Sequence, residues 1–443
     1  MRLLHGGLRV LRNTSHDDFN RRFGEPGWSV DVPFVCNTAV DFDRADVVVI
    51  GAGLTGLAAA EALALRGKKV LVIDRQGVGS GASGRNAGFC TISPSATARS
   101  VLLQYGEVSG KKYFDWFLRA AERVRERAEE DFSDIEWSQN GRASLALSAK
   151  QAESMRENWS IQHKLFKLPV QYLSRSEVER VAGGGSYYAA ITDNVSGSLN
   201  PLKLVHSLAL HARNAGACIC EGVEATSVRE VGSKVYIDCG SITLEANEVI
   251  IATDAYRSLQ NTRTAGLYVP LASYMIATES LSEEVCSLLF PDKRVASTSR
   301  NFANYFRIDA RRRLLFGGRR TLSSNTPLSD IASELHDAAG KLFDSVHIPN
   351  VDKCWGGLLS FTQDRTPVVG GLSERIYYAG GYCGHGVPTA LACGEMLAER
   401  ILGADAVDCP FYQSRLKGSV KMQMAKVLLP AISRYYRAVD AIN

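Results

Sequence analysis

The sequence predicts an α/β chain: a parallel-sheet unit assembled from three separated segments, with a second, strand-rich unit inserted between them. Three observations carry this expectation. A strand–helix–strand pattern occupies residues 47–74, the same alternation returns near Asn200 and runs to Ala252, and it closes between Ile376 and Ile401. Apolar β-branched runs that alternate with amphipathic helices mark a parallel sheet covered on its faces.

Residues 1–44 read as an irregular arm, punctuated by Gly24, Pro26, Gly27 and Pro33 around Trp28. Val47 to Ile50 is a strand buried on both faces, and a glycine-rich turn leads into a helix from about Leu54 to Arg66. Gly67 closes that helix, and a second buried strand, Val70 to Ile73, ends at Asp74. Tyr113, Phe117, Ala120, Ala121, Val124 and Ala128 recur at helical spacing and predict an amphipathic helix. Ser174 and Glu177 have capping-box spacing before a short helix. Asn200 is a candidate N-cap with Pro201 at the first helical position, and Leu204, Val205, Leu208 and Ala212 form the apolar face. Val249 to Ala252 is a further buried strand. Residues 303–318 read as a hairpin turning at Asp309, with Arg311, Arg312 and Arg313 solvated at the turn. Strand Ile376 to Ala379, a glycine-rich loop and a helix from Pro388 to about Ile401 close the pattern. The expected limits are an arm over 1–44, a first domain made of 45–95, 186–265 and 346–443, and a second made of 96–185 and 266–345.

Composition excludes several function classes. Of 443 residues, 45% are hydrophobic and 22% charged, which excludes wholesale disorder and suggests two or three packed units. A formal net charge of +4 and a pI near 8.5 fall short of a nucleic-acid footprint. The longest nearly apolar run, Val47 to Ala60, is shorter than the roughly 20 residues a membrane span needs. Residues 1–13 hold no sustained apolar stretch, so a secretory signal is not expected. The ten cysteines are scattered without C-x-x-C pairs, which points to a reducing, cytoplasmic setting and against a metal site. Cys218 and Cys220 share a strand face but have no histidine partners.

The stretch DVVVIGAGLTGLAAAEALALRGKKVLVID contains G-x-G-x-x-G as Gly51, Gly53 and Gly56. The first glycine permits a tight turn, the second a close approach of backbone to a pyrophosphate, and the third tight packing of helix on strand. The diphosphate then meets free N–H groups and the positive end of a helix dipole. Asp74, at the end of the second strand, suits an adenosine ribose and would repel a 2′-phosphate. These residues leave FAD and NAD both open.

Three further segments carry a resemblance. GVGSGASGRNAGF (Gly77 to Phe89) resembles the loop after the second strand in the D-amino-acid oxidase and sarcosine oxidase superfamily of FAD enzymes. VIIATDAY (Val249 to Tyr256) is similar to its second nucleotide-contacting strand, and GGYCGHGVPTALACGEMLAERI (Gly380 to Ile401) to its flavin loop and helix. The likeness runs in order from about Trp28 to the tail. It is fullest with the gamma-glutamylputrescine oxidoreductase branch, which has a YYR-type hairpin like Tyr305-Phe306-Arg307 and a T-x-x-R-x-P-like stretch matched loosely by Thr362 to Pro367.

The resemblance implies a Rossmann-like FAD domain of glutathione-reductase type with an inserted antiparallel-sheet substrate domain. It implies FAD contacts from the glycine turn (Gly51, Gly53, Leu54, Thr55, Gly56) and from Asp74 and Arg75. The next loop adds Gly81, Ala82, Ser83, Arg85, Asn86, Ala87 and Gly88, with Arg85 facing a phosphate or lying at the surface. Val223, Ala252 and Thr253 follow, then Gly381, Gly384, His385, Gly386, Val387 and Pro388, where a helix dipole would face the flavin pyrimidine edge. The implied chemistry is oxidation of an amine C–N bond to an imine, with hydride passing to flavin N5. His385, Tyr305 and Arg307 are the candidate catalytic residues. Tyr256, Tyr274, Trp355 and Leu359 are candidates for the substrate wall.

Departures from the family bear on substrate. The arginine that binds a substrate carboxylate in glycine-oxidase-like members falls on Leu359, and the corresponding lysine of sarcosine oxidases falls on Pro388. A buried carboxylate without a cation is costly, so a small-molecule amine is expected as substrate. An amino acid bound through Arg307, or a cyclic imino acid, is the alternative; a flavoprotein subunit of an electron-transfer complex is another. The cysteine that tethers flavin in sarcosine oxidases falls near Gly357, with Cys354 nearest in sequence, so FAD is expected to be noncovalent. No lysine occurs between Lys234 and Lys293 to match their oxygen-activating lysine, which leaves the electron acceptor as oxygen or another species. The basic tail from Arg415 is expected to pack on the fold rather than touch a membrane.

Overall fold

Val47 to Ile50 lie at the centre of a nine-stranded sheet and are at most 4% exposed, as a strand covered on both faces requires. The computed structural model describes residues 20, 22–30, 43–132, 134–256, 259, 264, 266–300, 302–318, 326–404 and 409–425. Most of the expected arm (1–19 and 31–42) and the tail from residue 426 lie outside them.

β1 (Arg44–Ile50) passes through the glycine turn into α1 (Leu54–Ala64) and returns as β2 (Val70–Asp74), parallel to β1. A single helical turn, α2 (Ala82–Arg85), precedes the long α3 (Ala98–Glu130), which bends at Gly106, where φ is 73°. α3 turns Tyr113, Phe117, Ala120, Ala121 and Val124 inward, as their spacing predicts, and Ala128 is half-buried. It also buries Arg127, whose guanidinium grips Glu61 of α1 through two hydrogen bonds of 2.6 and 2.7 Å. Two parallel bonds and the Phe132 ring 4.4 Å away offset the desolvation of this pair and fix α3 on α1.

The chain then builds β3 (Arg142–Ala146), α4 (Ala149–Lys164), β4 (Val170–Ser174) and β5 (Ala189–Asp193). Glu177 accepts from both the hydroxyl and the N–H of Ser174, but the short helix that follows is a three-residue 3-10 turn. α5 (Pro201–Asn214) starts as its sequence predicts: the Asn200 carboxamide accepts from the N–H groups of Leu202 and Lys203. Next come β6 (Cys218–Glu221), the hairpin β7 (Ser227–Val231) and β8 (Lys234–Cys239), and β9 (Ile242–Ile251). β10 (Val269–Ser280), β11 (Val295–Thr298), β12 (Asn304–Ile308), β13 (Arg313–Gly318), α6 (Leu328–Leu342) and β14 (Val351–Phe361) follow. β15 (Val368–Gly371), β16 (Ile376–Gly380) and α7 (Gly386–Ile401) complete the fold.

In the first sheet the order is β15-β16-β9-β1-β2-β6, with Tyr412–Gln413 beyond β15 and the β7–β8 hairpin on β9. β16, β9, β1, β2 and β6 run parallel, neighbour to neighbour. α1, α5 and α7 pack on one face, where α1 contributes ten buried residues. The second sheet has the order β14-β10-β13-β12-β11-β3-β5-β4. Its neighbours are antiparallel except for β11 and β3, which run parallel.

Two features differ from the sequence reading. β5 and β14 fall in segments expected in the first domain, yet both pair into the second sheet, β14 along β10 from Phe361 opposite Val269 to Val351 opposite Thr278. Strand partners this far apart leave no local pattern. At the β12–β13 turn, Arg311 and Arg312 are exposed, but Arg313 is buried and its guanidinium binds the Asp309 carboxylate. That carboxylate also accepts from the N–H groups of Arg311 and Arg313, so one aspartate organises the turn. Of the described tail residues, Leu416 and Met422 are buried while Val420 and Met424 are exposed; Val427, Leu428, Leu429 and Ile432 lie outside the described residues.

Candidate active site

The glycine turn connects β1 to α1 at the carboxyl end of the parallel sheet, where open α/β sheets hold their ligands. Gly51 has φ of 112°, and a Cβ there would stand 2.8 Å from the Ala252 carbonyl. A Cβ on Gly56 would stand 2.0 Å from the Gly51 carbonyl, so only glycine lets α1 lie this close to the turn. At Gly53 the near neighbour is the Ser83 hydroxyl, which accepts from the first N–H of α1, that of Leu54, at 3.0 Å. Gly53 provides no side-chain cap, so this end of α1 keeps its positive pole toward the cleft.

Asp74 ends β2 with its carboxylate engaged by the N–H groups of Ala52 (2.9 Å), Gln76 (2.8 Å) and Gly77 (3.0 Å). Burial raises its pKa, against the pull of those three bonds. Its carbonyl accepts from the N–H of Val223, which places the second residue after β6 beside it. Arg75 lies 3.8 Å from Glu224.

The loop from Gly81 to Gly88 wraps the one-turn α2 and is braced from outside. Three consecutive carbonyls each accept one side-chain donor: Arg85 from the Trp355 indole (2.9 Å), Asn86 from the Trp28 indole (2.9 Å) and Ala87 from Arg307 (2.8 Å). The Asn86 carboxamide turns back to Ala82 and Ser83, and accepts from Gly88. Arg85 faces protein rather than an open phosphate position: its guanidinium donates to the carbonyls of Gly356, Phe23 and Gly24.

At the other end, Asp254 follows β9 and joins three segments. It accepts from the N–H of Gly381 (2.8 Å) and from the Ser360 hydroxyl, while its carbonyl accepts from Tyr268. Burial raises its pKa. The Tyr382 and Thr55 hydroxyls meet at 2.6 Å, tying the glycine-rich loop after β16 to α1. His385 is the half-buried residue at the start of α7 and provides no side-chain cap. The helix begins at Gly386, two residues before the expected Pro388.

These segments enclose one cavity of about 340 Å³ that runs from Asp74 to His385. Of the candidate residues, Gly51, Gly53, Leu54, Thr55, Asp74, Arg75, Gly81, Ala82, Ser83, Arg85, Asn86 and Ala87 line it. So do Val223, Ala252, Thr253, Tyr256, Tyr305, Leu359, Gly384, His385, Gly386 and Val387. Gly56, Gly88, Gly381 and Pro388 lie behind the wall, where they shape the backbone.

Three candidates move to other roles. Arg307 is 4% exposed and donates to the carbonyls of Ala87 and Leu199, both at 2.8 Å, so it has no free face for a substrate. Burial lowers its pKa to about 10. Tyr274 is 1% exposed in the core of the second sheet, stacked on Phe23. Trp355 is fully buried behind α2. Tyr305 does face the cavity, with its hydroxyl 3.1 Å from that of Ser273 and its ring edge-on to Phe89. Tyr256 lines the other wall; its hydroxyl accepts from Leu358 N–H, and burial pushes its pKa up to about 12.

Sequence reasoning missed Asp254, Tyr382, Cys383 and Arg142, all of which line the cavity. Asp254 and Tyr382 sit inside motifs already singled out, so their position was the available signal. Cys383, not Cys354, is the cysteine on the wall; its thiol lies 3.4 Å from the Thr362 hydroxyl, and burial pushes its pKa up to about 11. Nothing local marks Arg142, which reaches the wall through sheet pairing. Among the described residues no group of His, Cys, Asp and Glu could hold a metal ion, and no helix is long and apolar enough to cross a membrane.

Comparison with known proteins accords with this geometry. The sequence pattern of the FAD dependent oxidoreductase family, DAO, matches residues 46–400. The probable oxidoreductase OrdL of Haemophilus influenzae is 30% identical over 405 residues, covering 90% of this chain and 92% of that one. Gamma-glutamylputrescine oxidoreductase of Escherichia coli is 29% identical, over 81% of this chain and 84% of its own length. Among solved structures, glycine oxidase from Geobacillus kaustophilus superposes with a TM-score of 0.69 at 23% identity, covering 85% of this chain and all of that one.

Proposed function

The chain belongs to the DAO family of FAD-dependent oxidoreductases, and from that premise we propose that it oxidises the C–N bond of a primary or secondary amine to an imine. The cavity fits the cofactor: its glycine turn approaches without side chains, and the cleft opens on the N-terminal ends of α1 and α7. Asp74 would hold the ribose, the turn and Ser83 the diphosphate, and the start of α7 the flavin edge. When bound, FAD accepts the electron pair from the carbon beside the amine nitrogen.

The observation that carries the amine reading is Leu359. It lines the cavity, and the family resemblance puts it in the place of the carboxylate-binding arginine of glycine-oxidase-like members; Pro388 is not among the lining residues. The protein's own task is then to hold a neutral amine and exclude water. Tyr305, fixed by Ser273, and Tyr256 flank that space, and His385 is the candidate for moving the ammonium proton. The names of the relatives support both an amine and an amino acid as substrate, and oxygen or another acceptor takes up the electrons. The scattered spacing of the ten cysteines, with no C-x-x-C pair, supports a cytoplasmic location.

The test is anaerobic bleaching of the flavin by matched pairs with and without an α-carboxylate. Amines such as N-acetylputrescine should reduce the flavin faster than glycine, sarcosine or simple D-amino acids, increasingly so as pH rises and the ammonium deprotonates. A consistent advantage for the α-carboxylated partners would replace this reading with an amino-acid oxidase.

A further inference from the structure

With Arg307 committed to carbonyls, the cavity keeps a different cation. Arg142 opens β3, and alternate residues of that strand take opposite sides: Ala143 and Leu145 enter the core, while Arg142 lines the cavity. Its side chain is 13% exposed. Asp193, its direct cross-strand partner on β5, holds it by charge: Nε lies 3.3 Å from the carboxylate, outside hydrogen-bond geometry. Asp193 is fully buried, and its other oxygen accepts from the N–H groups of Val195 and Ser196, so the acid is rigidly placed. The terminal nitrogens of Arg142 have no hydrogen-bond partner among the described residues. Ser273, Ser297, Ala303 and Tyr305, all uncharged, line the same cavity.

We propose that Arg142 is the specificity anchor of this site, reading a carboxylate at the end of the substrate remote from the reacting amine. A guanidinium held from one side presents its other donors as a fork that matches a carboxylate. Sheet geometry sets the distance. β3 is two strands from β12, which carries Tyr305, and five from β14, which carries Leu359. At about 4.8 Å per strand these separations are roughly 10 and 24 Å along the sheet. An α-carboxylate sits one bond from the reacting carbon, whereas an acid on an extended chain reaches across such separations. The proposal rests on the amine-oxidation reading for its substrate class, but the anion subsite itself does not.

The experiment uses the FAD-loaded full chain and two length-matched amines, N-(4-aminobutyl)succinamate and N-(4-aminobutyl)butanamide. The wild type should favour the succinamate at least tenfold in kcat/KM. Arg142→Met should erase that preference through KM, leave the limiting rate of flavin reduction in place and spare the butanamide. Because Arg142→Met leaves Asp193 without its ion pair, Arg142→Lys is measured beside it and should retain an intermediate preference. N-Butylsuccinamate, which has no oxidisable amine, provides a separate binding readout through the flavin spectrum. Its affinity should fall at least tenfold in Arg142→Met, whichever compounds prove to be substrates. Equal losses on both amines, or unchanged N-butylsuccinamate affinity, would overturn the assignment. Bleaching by α-amino acids alone, with N-butylsuccinamate still dependent on Arg142, would overturn the amine reading and retain the subsite.

Discussion

At Asp74 three backbone N–H groups converge on one carboxylate, so the side chain shapes the turn as well as the proposed ribose contact. Asp74→Ala should weaken FAD binding by about 1.5–3 kcal/mol, the scale of hydrogen bonds to a charged group. Titration of the apoprotein with FAD measures this, and unchanged affinity would remove the ribose assignment. Arg307 belongs to stability instead. Arg307→Ala strands the buried carbonyls of Ala87 and Leu199 and should cost about 2–5 kcal/mol in urea unfolding. A shift in KM with unfolding unchanged would return Arg307 to the substrate. In sequence, Arg307 reads as a free cation because hairpin position is visible and burial is not.

At the scale of elements, α1 is gripped from two sides. Gly56 meets the turn beneath it, and Gly394 of α7 comes so near that a Cβ would stand 2.2 Å from the Thr55 carbonyl. Gly56→Ala collides with backbone, which cannot swing aside. The variant should lose about 1–3 kcal/mol of stability and release FAD readily on gel filtration. Full flavin retention would show that the helix has room to move. The strand–helix–strand unit, the Asn200 cap and the β12–β13 hairpin were legible because each is specified by neighbours in sequence. The brace on the 81–88 loop was not, since Trp28, Arg307 and Trp355 lie 58, 220 and 270 residues from the carbonyls they bind. Arg142 stayed hidden for the same reason: its partner Asp193 and its cavity exist only once β3, β5 and β11 are side by side.

For the whole molecule, the cysteines bear on how the cofactor is held. A Cβ at Gly357 would stand 2.9 Å from the Tyr256 hydroxyl, so a cysteine at the expected tether position would have to displace that ring. Cys383 faces the cavity as a neutral thiol well beyond neutral pH, its pKa raised to about 11 by burial. The purified protein should be yellow, and acid precipitation should leave the flavin in the supernatant. Yellow pellet would mean a covalent link, with Cys383 the first residue to map.

The parallel sheet draws its neighbours from distant parts of the chain, β1 beside β9 and β9 beside β16, and α7 closes over α1 near the end. On a ribosome this becomes a matter of time. The apolar flank of α1 leaves the exit tunnel more than 300 residues before α7 does, and synthesis runs at roughly 5–20 residues per second. For some tens of seconds that flank has no native cover, far longer than the microseconds to milliseconds in which local helices and hairpins form. Slower synthesis or a reduced chaperone supply is therefore expected to lower the yield of native protein even where the finished sheet is stable.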